Sequence, residues 1–184
     1  LVSGERLVGV DRVLPSDATL ADLLEVVVDG PTEVEQTLGI TSSVPAGTVA
    51  SVATSRGVAV VELTAAFGDV RGAEQGFALG QIVYTLTQIP PFSDEIAIPV
   101  DGEDRVFARA DFEEQTPSVL VESPLVGDAV SSPLEARGTA NTFEATFSFE
   151  IKDSSGEMLA GDFVTATSGS GTRGTFTFAQ PFVV

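Results

Sequence analysis

The chain contains no cysteine, no histidine and no tryptophan, and only one tyrosine. Without Cys there is no disulfide, no thiolate nucleophile and no Cys-based zinc site. Without His the usual general base, the Ser-His-Asp arrangement and most transition-metal sites are missing as well. Basic residues are scarce: 9 Lys and Arg face 27 Asp and Glu, for a net charge of −18, and Lys152 is the only lysine. Nucleic acids and anionic membranes are bound by clustered Lys and Arg, so this balance argues against both as partners. The acidic excess reads as a solvated surface, and a salt-adapted or GC-rich bacterial source would give the same composition. No window approaches the ~20 apolar residues of a membrane span. There is no signal peptide and no initiating Met, so Leu1 is expected to be the edge of a processed or cloned fragment. The chemistry still open is a carboxylate pair, an oxygen-ligand Ca²⁺ site, or binding without catalysis.

The 184 residues suffice for one medium domain or two small ones. The clearest helix lies between Ala73 and Gln88, where Leu79, Ile82, Val83, Leu86 and Ile89 share one face. Pro90-Pro91 ends it. A strand follows over Glu95–Val100, and Asp101-Gly102 closes it as a turn. Earlier, Arg6–Pro15 alternates as a strand and Ser16 or Asp17 can cap a helix. Leu20, Leu23, Leu24 and Val27 form that helix's apolar stripe, which Gly30-Pro31 stops. Thr32–Gly39 reads as a short helical turn. Val49–Thr54 and Val58–Leu63 read as a hairpin turning at Ser55-Arg56-Gly57, where glycine supplies positive φ at little cost.

From Val119 the helical signals stop. Val119–Glu122, Leu134–Ala140, Ala145–Ile151, Met158-Leu159, Phe163–Ala166 and Gly174–Phe178 are short strands, several alternating at period two. Breaks fall at Ser123-Pro124 and Ser132-Pro133. The expected architecture is an α+β domain of β-α-β-β-α-β order over 1–103, with its helices on one sheet face. A charged linker over 104–117 then leads into an all-β immunoglobulin-like sandwich over 118–184. Val106-Phe107 and Phe112 are the linker positions most suited to docking.

Several separated segments resemble one family. Leu7-Val8, Arg12, Gly30-Pro31, the Ser42, Pro45, Gly47, Thr48 segment, Glu62-Leu63-Thr64 through Phe67, Gln81–Gln88 and Val100–Gly102 resemble the GerMN domain of sporulation and germination proteins. Glu62 stands where the family has Asp, and the one further strand that the family usually has ahead of Leu7 is expected to be absent or cut away here. The second half resembles the immunoglobulin-like domain of bacterial spore germination. The residues that carry this are Ser123-Pro124, Gly127, Ser132-Pro133, Gly138, Ala140, Phe143-Glu144-Ala145, Asp153, Gly156, Gly174 and Phe176. Members continue past the last of these by about two strands of ~5–6 residues, so this sandwich is expected to lack its last strands and expose an edge.

The candidate sites have plainer readings beside the functional ones. Asp101, Glu103 and Asp104 carry oxygen ligands for Ca²⁺ but lack EF-hand spacing and read as a solvated turn. Asp153-Ser-Ser-Gly156 reads as a turn in which Asp bonds its own backbone. Glu113-Glu114 are adjacent, whereas paired glycosidic carboxylates flank a cleft. Ser168–Gly174 fails the Walker pattern and reads as a mobile hairpin. Arg137, Arg173 and the strand phenylalanines offer a glycan platform, but one face of a sandwich must be buried core. Tyr84 is a candidate domain contact. No catalytic, cofactor-binding or metal-ligating residue is assigned.

The resemblance implies a non-enzymatic, extracytoplasmic bacterial envelope protein, held as a lipoprotein through an upstream segment. GerMN domains are similar to ring-building motifs, so it also implies action through contact with other envelope proteins or through self-association. The alternative is a peptidoglycan-binding module with the sandwich as its reading half. A carboxylate-based wall hydrolase is the third reading.

Overall fold

The computed structural model describes residues 1–88, 94–100 and 102–183. Ile89, Pro90-Pro91 and Asp101 therefore lie outside the described residues, and with them the proline stop and half of the Asp-Gly turn. The chain forms two compact units, Leu1–Val8 with Arg12–Gln115, and Gly9–Asp11 with Thr116–Val184.

The first unit is α+β. Strands β1 (Val2–Ser3) and β2 (Arg6–Leu7) turn at Gly4, and β3 (Ile40–Thr41) pairs with β1. The expected strand over Arg6–Pro15 is thus only two residues long. The Val8 N–H donates to Leu1 O and the Leu1 amine to Val8 O, the next pair of the same ladder, and the Leu7 N–H donates to Gln115 O. A strand, β1, therefore precedes Leu7, where none is expected.

Helix α1 spans Leu20–Asp29. Its cap is Thr19, not Ser16 or Asp17: the Thr19 hydroxyl accepts from Asp22 N–H, and the Asp22 carboxylate accepts from Thr19 N–H at 2.6 Å. This reciprocal box satisfies two backbone donors at once. It also holds the Asp22 carboxyl below its usual range, chiefly through the bonds from the Thr19 side chain and backbone. Gly30, at φ 72°, ends the helix. The short α2 (Glu33–Thr37) repeats the device with Thr32 and Glu35.

Strands β4 (Val49–Ser55) and β5 (Val58–Leu63) form the expected hairpin. Arg56 and Gly57 both have positive φ, the left-handed pair that matches strand twist in a two-residue turn. Helix α3 (Ala73–Leu86) then crosses back, and β6 (Glu95–Ala97) lies parallel to β5. The expected linker is structured. β7 (Val106–Ala108) pairs antiparallel with β6, giving the order β4-β5-β6-β7, and a 3₁₀ turn at Arg109–Phe112 follows.

Both long helices meet the sheet in one core. Leu20, Leu23, Leu24 and Val27 of α1 and Leu79, Ile82, Val83 and Leu86 of α3 are buried with Ala59, Val61, Ile96, Phe107 and Phe112. Val58 and Val60 on the other sheet face stay half-exposed, and Glu62 is exposed. Burying each such aliphatic side chain contributes about 1.5–3 kcal/mol.

The second unit is a β-sandwich. One sheet has β12 (Gly174–Gln180), β9 (Leu134–Ala140) and β8 (Val119–Ser123) in that order, and the other has β10 (Thr146–Lys152) with β11 (Met158–Thr165). The phenylalanines interdigitate between them: Phe147 meets Phe176 edge-on at 4.9 Å, and Phe149 stacks on Phe178 at 4.2 Å. The Ser123-Pro124 and Ser132-Pro133 bonds are both cis. Gly138 is required by space, since a Cβ there would lie 2.1 Å from Leu120 O.

Candidate functional site

Three of the chain's motif segments converge in the first unit. Thr48 is buried; its N–H and hydroxyl both donate to Pro45 O, the latter at 2.6 Å. Thr64 then locks onto this turn, with its N–H on Thr48 O and its hydroxyl on Gly47 O at 2.8 Å. Thr64, Leu63 and Phe67 line an open cavity of about 250 Å³ whose other wall is Pro99, Val100 and Gly102. The described lining residues carry no charged side chain. Its hydroxyl group, on Thr64, is already committed to Gly47. Among the described lining residues this cavity offers shape and backbone groups, and no acid or base.

A second constellation joins Arg12, Gly30 and Glu35. The Arg12 guanidinium donates to both Glu35 carboxylate oxygens at 2.5 and 2.6 Å and to Gly30 O at 3.3 Å. Glu35 is buried and also accepts from Thr32 N–H at 2.8 Å. The Arg12 hydrogen bonds outweigh desolvation and, with Thr32, hold the Glu35 carboxyl down to about 2. The motif positions Arg12 and Gly30-Pro31 were legible; Glu35 was not singled out. Its signal was the capping box Thr32-x-x-Glu35. The polar groups of this motif tie one helix end to the chain before α1.

Gln81 opens the α3 motif and is buried, yet only its amide nitrogen is bonded, to Phe77 O at 3.3 Å. Its Oε1 has no hydrogen-bond partner among the described residues. Tyr84 is half-buried under the Arg109 guanidinium at 4.9 Å; Arg109 Nε also donates to Thr87 Oγ1 at 2.7 Å. Tyr84 is thus one side of a clasp between α3 and the turn that follows β7.

In the second unit the Ser168–Gly174 segment is stitched to the loop before β10. Ser170 N–H donates to Thr142 O at 2.9 Å, Gly171 N–H to Asn141 Oδ1 at 2.9 Å, and Glu144 N–H to Ser170 Oγ at 3.1 Å. Gly169 admits this approach, since a Cβ there would lie 2.4 Å from Thr142 O, and Gly174 lets the segment close on itself, since a Cβ there would lie 2.3 Å from Ser168 N. Glu144, Ala145 and Ser170 hold left-handed φ of 55°, 59° and 53°. Such strain, about 1 kcal/mol or more per residue, persists where surrounding bonds over-determine the backbone. Phe143 sits in this braced loop and is 80% exposed; Phe163 on β11 is 74% exposed.

The remaining candidates disperse. Arg173 is a strut, donating to Pro117 O at 2.9 Å and Thr139 Oγ1 at 3.3 Å, while Arg137 stays exposed on β9. Phe147, Phe149, Phe176 and Phe178 are packed in the sandwich, so the glycan platform does not assemble from these residues. Asp153 Oδ1 accepts from Ser155 Oγ, Ser155 N–H and Glu157 N–H, which hold its carboxyl below its usual range. Glu103 exchanges backbone bonds with Val100, and Asp104 is exposed. Glu113 is half-buried and Glu114 exposed. Among the described residues no three acidic side chains group as a metal site.

The fold and these motif contacts define a sporulation-type α+β domain followed by an immunoglobulin-like sandwich. Residues 2–106 match the family model described as sporulation and spore germination, and residues 118–183 match the immunoglobulin-like domain of bacterial spore germination. The first match covers more than half of the chain, and the chain belongs to the sporulation and spore germination family. Neither family is one of enzymes. Comparison with curated proteins and with solved structures gives no match.

Proposed function

We propose that this protein acts without catalysis, by protein–protein contact, as an extracytoplasmic component of a bacterial envelope related to the germination machinery. The observation that carries the reading is Phe143. A large apolar side chain held 80% exposed on a loop braced by cross-loop hydrogen bonds is pre-organised for a partner's pocket. The motif residues Thr48 and Thr64 are occupied in holding backbone, and Arg12 is paired with Glu35. The envelope setting and a lipoprotein anchor are part of this proposal, carried by the resemblance drawn from the sequence.

The test is a photo-crosslinking residue in place of Phe143 in the full-length protein, in a spore-forming host. A discrete crosslinked protein supports the reading. Crosslinks to wall glycan would instead favour the peptidoglycan-binding alternative, for which Phe143 and Phe163 are the exposed aromatics among the described residues. Release of wall fragments by the purified protein would overturn the non-catalytic reading.

A further inference from the structure

Sheet edges present unpaired N–H and C=O groups, and soluble proteins shield them with charge, proline or short length. In the first unit β7 is three residues long, between Arg105 and Arg109. In the sandwich, β8 carries Glu122, β10 Glu150 and Lys152, and β11 Asp162, while β12 is bonded through Thr175 to Thr167. The β4 edge is different. Val49-Ala-Ser-Val-Ala-Thr-Ser55 has seven residues with no charge and no proline, and five of the seven are exposed. Among the described residues no strand pairs with its outer side. Only a register shift at Val49–Ser51 interrupts it, leaving Ser51–Ser55 regular.

Charge indicates what pairs there. Residues 13–55 contain no Lys or Arg, but do contain Asp17, Asp22, Glu25, Asp29, Glu33 and Glu35. Helix α1, which carries three of these acids, packs beside β4. On the sheet, exposed Glu62 lies opposite Ser51 and accepts from its hydroxyl at 2.9 Å. The one cation on this hairpin is Arg56, at its tip. A strand added at this edge would send alternate side chains toward the two sheet faces, and both β4's helix neighbour and Glu62 are acidic. A second copy is a poor guest, because it carries the same −18 charge and has no two adjacent basic residues.

We infer that the β4 edge takes up an extended, basic segment of a partner protein by strand addition. The inference rests on the protein-contact reading above and adds to it a second surface, with its own chemistry. The probe is a short synthetic peptide alternating lysine and valine, with glutamate–valine and proline-interrupted counterparts, titrated against the intact protein by fluorescence anisotropy. The basic peptide binds, its affinity falls with added salt, and alternate β4 amides gain hydrogen-exchange protection. Ala53→Lys, on the exposed strand, weakens binding about tenfold or more with the circular dichroism unchanged; Glu62→Gln weakens it less. Equal binding of acidic and basic peptides, no binding, protection appearing only in residues 116–183, or pairing of β4 with a second copy would each overturn the inference. A Phe143 crosslink that survives any of those results would leave the protein-contact reading standing alone.

Discussion

Arg12 and Glu35 meet in a two-pronged pair, guanidinium to carboxylate at 2.5 and 2.6 Å, across 23 residues of sequence. Glu35 is buried and Arg12 retains 22% side-chain exposure. The pair closes the capping box of α2 and reaches the C-terminal carbonyl of α1 at Gly30. Its folded-state carboxyl titrates near 2, below the ordinary 4.5. The stability it contributes is therefore present above the ordinary value and is lost as the pH falls through the window toward 2. Urea unfolding across that range should show a loss on the order of 3 kcal/mol, and Glu35→Gln should flatten it. Arg12→Met leaves the carboxylate buried without its partner and should destabilise the protein by about 3 kcal/mol at neutral pH.

Thr48→Val tests the turn that supports the cavity. It keeps the shape but removes the donor to Pro45 O, leaving only the backbone N–H on that carbonyl. The expected cost is about 1–2 kcal/mol, read from the urea midpoint with the slope unchanged.

Gln81→Met should behave in the opposite direction. The buried Oε1 lacks a hydrogen-bond partner among the described residues, so an apolar side chain of similar length relieves a desolvation cost of about 1 kcal/mol. The melting temperature should stay level or rise.

The two phenylalanine classes separate stability from recognition. Phe176→Ala empties a packed position and should cost about 3–5 kcal/mol. Phe143→Ser changes an exposed residue and should move stability by less than about 0.5 kcal/mol, while abolishing co-purification of the protein partner. Thermal melts of the two variants beside partner co-purification with the second check both halves.

The helical stripes and the strand alternation were legible in the sequence because burial follows a fixed period. Leu20, Leu23, Leu24 and Val27 are buried, as are Phe176 and the α3 residues Leu79, Ile82, Val83 and Leu86. Gly30 and Gly57 also hold the positive φ their turns need. The failures involve partners distant in sequence. Thr19 displaced Ser16 and Asp17 as the cap because Asp22 is placed to return its bond. Val106–Ala108 looked like linker because its charged flanks hide a three-residue strand that exists only through pairing with β6. The bonds that Ser170 and Gly171 make to Asn141, Thr142 and Glu144 could not be read from the Ser168–Gly174 composition, because those partners lie about 25–30 residues earlier. Glu35 escaped notice because a buried acid reveals itself only once its arginine is beside it.

The most direct measurement is crosslinking from position 143 in the full-length protein within a living spore-forming cell, followed by mass spectrometry of the adducts. The account predicts one or a few discrete protein adducts, reproducible across cultures, lost when Gly169→Ala disrupts the loop brace. Adducts confined to wall glycan, or none at all while the purified protein releases wall fragments, would contradict it.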